Sequence, residues 1–373
     1  PTLPTLAADQ VLTLSAYLAD GLTVTGAGTV VVVGDIMLAD LSDIETNLDL
    51  TEATGAPTGI EGLLPTLDGQ EFRMTAQQVS DFGFLVVGTG TVTVEMADIT
   101  VEYDLSVIGE NNSPPRSGIT VTVEFETDGT LNPLTDMRGV DEVVLATGAT
   151  TLTGDQANGI TFSGTGERVI ITASDGRQTL NGTDGNDRIS GDSDAATDDT
   201  VDISQGGVDT LVFSGVRNDF TVTGFTMGAG ANRDVLDFNS ISGLTNPNRD
   251  EDVTSLYANT ATDIEGLVVA LTAFPTANDA VTLEALFNFS VEGGQTVNDF
   301  LAEDSKMIFL APSGPQKVNT NIWLWDDTAL GEGTSNGSVD ANELTLLATL
   351  NGVGVSSLSN LTDQNVNYNP STI

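Results

Sequence analysis

The chain of 373 residues carries 54 Asp and Glu against 11 Lys and Arg, a formal net charge of −43, and has neither histidine nor cysteine. Charge of that sign repels phosphate backbones and anionic membrane surfaces, which excludes nucleic acid as a partner. The missing residue types exclude disulfides, thiolate or imidazole metal sites and the usual histidine-based acid–base pairs, and without an 18-residue apolar run nothing is expected to cross a membrane as a helix.

Residues 1–178 read as repeated β units. Short Val/Ile/Leu/Thr runs alternate apolar with polar residues and are broken by Gly, Asn and Asp: Thr29–Val33, Thr91–Glu95, Ile99–Val107, Ile119–Glu126 and Val169–Thr172. This period of two predicts a mainly β chain, built as a sandwich, barrel or solenoid. An internal repeat supports tandem units. Leu14–Gly28 (LSAYLADGLTVTGAG) aligns without a gap on Leu152–Gly166 (LTGDQANGITFSGTG), and more loosely on Met74–Gly90. Each copy reads as a strand end, a helical turn, a short strand and a glycine turn, so the units are expected to complete one another's cores. The stretch Gly109–Gly118 (GENNSPPRSG) fits a linker or the tip of a long hairpin, and the hairpin is preferred because the flanking runs are of similar length and both alternate.

Residues 179–240 change character. Gly182–Ser190 (GTDGNDRIS) fits the nonapeptide G-G-x-G-x-D-x-U-x, with Thr183 in place of the second glycine. Glycines allow tight turns that aim carbonyls inward, the aspartate supplies a carboxylate, and the apolar residue two places on starts a short buried strand. Degenerate continuations follow at Asp199-Thr200-Val201-Asp202, Asp209-Thr210-Leu211-Val212 and Asp234-Val235-Leu236-Asp237. On these residues the segment resembles the RTX family of proteins exported by type I secretion. The resemblance implies a calcium-filled β-roll and an uncleaved C-terminal export signal. It makes Asp187 the motif aspartate with Asp184 on the same turn, and Asp192, Asp194, Asp199, Asp202 and Asp209 partners from the following turns. With one full nonapeptide, one or two ions are expected rather than a row.

Residues 241–373 predict a mixed α+β region. Helix-compatible spacing runs through Thr282–Phe289, Thr296–Asp304 and Asp340–Leu350, whereas Asn321–Trp325 looks like a strand. Glu332–Glu343 (EGTSNGSVDANE) overlays a calcium loop of the EF-hand type, with Glu332 first, Asn336-Gly337 at the sharp turn, Asp340 ninth and Glu343 as the closing bidentate ligand. Asp326 or Asp327 would serve as first ligand of a longer loop. Gly333–Gly337 also matches G-x-S-x-G, but a serine nucleophile needs a general base and the chain has no histidine. Trp323 and Trp325 alternate along the strand and read as a core edge in preference to a sugar platform.

Together these features predict a non-enzymatic, extracellular protein of the bacterial cell surface. It would be a structural, self-assembling subunit of an S-layer, sheath or filament whose folding and homo-oligomeric assembly depend on Ca2+. The rival readings are an adhesin that displays loops to a surface glycan or matrix protein, and a secreted glycosidase using paired carboxylates.

Overall fold

The structure, a computed structural model, describes residues 5–36, 41, 44–54, 67–82, 88–106, 118–164, 168–191, 199–213, 220–228, 230–241, 244, 254–255, 268–270, 276, 278–287, 306–327, 339–358, 360–361 and 365–367. The chain divides into two compact units, Pro1–Glu167 and Arg168–Ile373.

In the first unit the strands are β1 (Val11–Ser15), β2 (Val24–Asp35), β3 (Ile44–Asp49), β4 (Ala53–Thr54), β5 (Leu67–Thr75), β6 (Gly88–Met96), β7 (Ile119–Phe125), β8 (Gly129–Thr130), β9 (Glu142–Val144), β10 (Ala149–Thr153) and β11 (Thr161–Ser163). One sheet runs β1-β2-β3-β5-β6-β7-β9-β11, with every neighbouring pair parallel, and β10 lies parallel to β8. Parallel pairing of strands joined by short connections makes this a β-solenoid, each coil lying on the last. The register stacks like on like: Val30 on Leu48, Leu48 on Phe72, Phe72 on Val92 and Val92 on Val121. A second row runs Val94–Val123–Val143–Phe162, and all of these side chains are buried. Each contributes about 1.5–3 kcal/mol of burial, so the apolar rows hold the coils together.

The internal repeat has a clear physical basis. Three helical turns, α1 (Ala16–Ala19), α2 (Ala76–Phe82) and α3 (Gly154–Ala157), follow directly on β1, β5 and β10. The shared sixth position, Ala19, Val79 and Ala157, is fully buried. The glycine at the eighth position adopts positive φ in both close copies, 60° at Gly21 and 75° at Gly159, where a side chain would be strained. A polar feature also recurs. Gln78 accepts the Thr75 N–H at 2.8 Å and donates to the Leu50 and Ala53 carbonyls; Gln156 accepts the Thr153 N–H at 3.1 Å and donates to the Asn132 and Thr135 carbonyls. Each glutamine caps its own helical turn and ties it to backbone of an earlier coil.

The hairpin expected around Gly109–Gly118 is corrected. Of the run Ile99–Val107, the described residues Ile99–Ser106 form no strand: Asp98 accepts both the N–H and the hydroxyl of Thr100, which turns the chain at once. β7 instead joins the stack, parallel to β6 and β9. Residues 109–117 lie outside the described residues.

In the second unit the strands are β12 (Arg168–Thr172), β13 (Thr179–Asn181), β14 (Arg188–Ser190), β15 (Asp199–Asp202), β16 (Thr210–Val212), β17 (Phe220–Thr223), β18 (Val235–Asp237), β19 (Thr254–Ser255), β20 (Val268–Ala270), β21 (Lys306–Ser313), β22 (Asn319–Asp326), β23 (Leu344–Asn351) and β24 (Val366–Asn367). Successive strands alternate between two parallel stacks, β12-β14-β16-β18-β24 and β13-β15-β17-β23. The chain therefore winds as a two-stack coil through the segment that carries the nonapeptide. Ile189, Leu211 and Leu236 form one buried rung, while Leu180, Val201 and Val222 form the other. Phe213 stacks on Phe220 and Phe238, with ring centroids 5.4 and 4.8 Å away.

The second stack continues into the mixed α+β region. β23 pairs antiparallel with β22, which pairs antiparallel with β21, and α4 (Ala280–Phe287) overlaps the stretch Thr282–Phe289 expected to be helical, starting two residues earlier. Asp340–Leu350, expected to be helical, is corrected: a single 3-10 turn, Ala341–Glu343, gives way to β23. The sequence LTLLATLN suits either state, and edge pairing with both β17 and β22 decides for the strand. The expected helix at Thr296–Asp304 lies outside the described residues. No helix among the described residues is long and apolar enough to cross a membrane.

Candidate functional site

The aspartate of the nonapeptide occupies a fixed place in the coil, immediately before the strand. Because Arg188 pairs with Thr210 and Thr210 with Val235, the residues before them, Asp187, Asp209 and Asp234, stack one above another. All three are buried, Asp209 to 1% exposure. The stacking is linked by hydrogen bonds of one kind. Val169 N–H donates to Asp187 Oδ1 at 2.8 Å, Asp187 N–H to Asp209 Oδ1 at 2.9 Å, and Asp209 N–H to Asp234 Oδ1 at 2.9 Å. Each carboxylate thus satisfies an N–H of the coil before it, while Thr210 N–H and Val235 N–H return bonds to the Asp187 and Asp209 carbonyls.

The second oxygens differ. Asp187 Oδ2 accepts the Thr183 N–H, and Thr183 Oγ1 donates to Oδ1 at 2.9 Å, so the residue replacing the motif's second glycine holds the carboxylate. Asp234 Oδ2 accepts the Thr226 N–H at 2.6 Å. Asp209 Oδ2 is buried with no hydrogen-bond partner. Its turn, Gln205–Val208, is the tight one: a Cβ on Gly207 would stand 1.8 Å from the Gly185 carbonyl oxygen. Burial therefore dominates its ionisation and, with the charges of Asp187 and Asp234 adding to it, pushes the Asp209 carboxyl up to about 8. Burial likewise pushes Asp234 up to about 6 and raises Asp187, against the opposing effect of their N–H donors.

The other expected ligands of this segment are dispersed. Asp199 repeats the same device on the second stack, accepting the Gln178 N–H at 2.7 Å. Asp184 is exposed on the turn before Asp187, and Asp202 accepts the Ser204 N–H at 2.9 Å. Asp192 and Asp194 lie outside the described residues. Asp234 was legible as a degenerate continuation but was not among the expected ligands, and it proves to be a full member of the stack.

A second concentration of acid lies where β22 ends and β23 begins. Glu343 is 2% exposed and Asp327 fully buried. Trp325 Nε1 donates to Glu343 Oε2 at 3.0 Å, and Asp340 N–H reaches the same oxygen at 3.3 Å. Glu343 Oε1 is buried and has no hydrogen-bond partner. Burial raises the Glu343 carboxyl above the usual range, the Trp325 N–H opposes it, and the charges of Asp327 and Asp340 raise it further. Asp326 is drawn away into an ion pair with Lys306 at 2.8 Å. Glu332 and Asn336 lie outside the described residues. Among the described residues β22 precedes this loop, and the 3-10 turn Ala341–Glu343 and then β23 follow it, where an EF-hand would have helices.

Among the described residues no three acidic side chains converge as a ready metal cage. The chemistry at Glu343 nonetheless fits a hard cation: an unmatched carboxylate oxygen, two further acids close enough to raise its pKa, and an indole N–H fixing its orientation. The fit at Asp187 is poorer, because backbone and hydroxyl donors already occupy both oxygens. No family model, curated protein or solved structure matches the chain.

Proposed function

We propose that the chain is an extracellular structural protein of a bacterial cell surface, which self-assembles and whose folding and assembly depend on calcium. The observation that carries this reading is the set of buried carboxylates built into a repetitive β-solenoid, with Asp209 Oδ2 and Glu343 Oε1 left unmatched. Burying a carboxylate without a partner is costly, and a bound cation offsets that cost. At a net charge of −43, cation binding also relieves repulsion between coils and between molecules.

On this reading the low calcium of the cytosol leaves the chain expanded and competent for RTX-type export. Outside the cell, millimolar calcium exceeds the roughly 10⁻⁴–10⁻³ M affinities of extracellular calcium modules, and binding free energy becomes folding free energy. Glu343 would offer its unmatched Oε1 to an ion at the β22–β23 corner, and the turns around Asp187 and Asp209 would respond to calcium at the coil. The test is calorimetric: unfolding followed in calcium and in chelator. A midpoint that climbs with free calcium, as mass action requires, supports the reading. Identical curves in calcium, magnesium and chelator would remove calcium from it.

A further inference from the structure

The two units carry nearly the same charge but keep it in different places. Residues 1–167 hold 25 acidic and 3 basic side chains and residues 168–373 hold 29 and 8, net charges of −22 and −21. Among the described residues, however, seven acidic side chains are buried, and all seven belong to the second unit, Asp187, Asp209, Asp234 and Glu343 among them. A carboxylate at the surface keeps its water, whereas one buried without a partner is costly until a cation or a proton neutralises it.

The first unit meets the same structural demands without a buried charge. Where a side chain accepts an N–H of a neighbouring coil, Asn47 does so with an amide oxygen, from Glu71 at 3.0 Å. Gln78 and Gln156 likewise cap their helical turns with amides. Asp141 accepts the Val121 N–H at 2.8 Å, but it is exposed. Where carboxylates stack on successive coils, as Glu95 does beside Glu124, the chain supplies its own cation. Arg73 reaches Glu71, Glu95 and Glu124 together, and those three side chains remain between 25% and 40% exposed.

The stack of the second unit has no such residue. Among the described residues no ion pair reaches Asp187, Asp209 or Asp234; Arg188, next to Asp187 in sequence, turns to Asp237 at 3.1 Å. Asp209 Oδ2 and Glu343 Oε1 are buried without a hydrogen-bond partner. We infer that calcium control is divided between the units: the second needs a bound cation to coil, and the first coils without one, with Arg73 as its built-in cation. The inference rests on the calcium reading above and narrows it from the whole chain to residues 168–373. Chelation then leaves a coiled first unit joined to an opened second unit.

Hydrogen exchange of the full chain, resolved by peptide and run in calcium and in chelator at equal ionic strength, reads the units separately. Since the net charges match, salt screening acts on both alike. Chelation should speed exchange of the β14, β16 and β18 amides about tenfold or more and leave those of β5, β6 and β7 within about twofold. Arg73→Gln should make β5–β7 exchange faster in chelator and slow again in calcium, while Arg73→Lys, which keeps a charge there, should respond less. Faster exchange in both wild-type units on chelation overturns the division and leaves calcium-dependent folding standing. Unchanged exchange in both units overturns the division and the calcium reading together. An Arg73→Gln first unit that ignores calcium overturns the part assigned to Arg73.

Discussion

Replacing Asp209 with Asn isolates the cost of the buried aspartate stack. The amide keeps the oxygen that accepts the Asp187 N–H at 2.9 Å and has nearly the same shape, but it cannot ionise. In the unfolded chain the Asp209 carboxyl ionises near its ordinary 3.8; in the fold it holds its proton to about 8. Wild-type stability therefore falls as pH climbs through that interval and levels off above it, since the unfolded state loses a proton that the folded state keeps. At about 1.4 kcal/mol per pH unit the penalty reaches a ceiling of about 4 kcal/mol at pH 7, and about 1–2 kcal/mol at pH 5. Urea unfolding in chelator, followed by circular dichroism at pH 5, 7 and 8.5, should show Asp209→Asn more stable than wild type by a margin that widens with pH. Added calcium should narrow that margin if the ion relieves the same carboxylate. A margin independent of pH, or a variant less stable at pH 8.5 in chelator, would refute the reasoning.

Arg73 bridges three coils of the first unit through Glu71 at 3.0 Å, Glu95 at 2.8 Å and Glu124 at 2.6 Å. Arg73→Gln leaves three neighbouring carboxylates and should lower stability by about 2 kcal/mol at low ionic strength, less at high salt, as denaturant titrations at two salt concentrations will show. Gly207→Ala should cost about 3 kcal/mol or more, because a Cβ there meets the Gly185 carbonyl at 1.8 Å; Gly206→Ala, with positive φ but open space, should cost only about 1 kcal/mol. Terbium as a calcium surrogate should luminesce when tryptophan is excited, since the Trp325 indole is bonded to Glu343. Trp325→Phe should abolish that sensitisation, and Glu343→Gln should weaken terbium binding about tenfold or more.

The strands were legible because burial on one face imposes a period of two, and Thr29–Val33, Thr91–Glu95 and Val169–Thr172 all lie within strands. The repeat was legible as well, down to the buried alanine of α1 and α3. Parallel stacking was harder to read, because a period of two does not record which strand lies beside which; the local turn at Asp98–Thr100 broke a run that looked continuous. Leu344–Asn351 became a strand through long-range pairing with β17, over a hundred residues away in sequence, and no local propensity carries that information. At the site, the motif located Asp187 and pointed to its continuations. It could not show that the carboxylates would be spent on N–H groups of the preceding coil, nor that Trp325 would orient Glu343. Those roles depend on register and on the β22–β23 pairing.

We propose that calcium drives this acidic solenoid into an ordered assembly. Electron microscopy of the purified chain, with millimolar calcium and after chelation, tests it most directly. Ordered fibres or sheets should form with calcium and dissolve when it is removed; a monodisperse monomer under both conditions would rule out calcium-driven assembly.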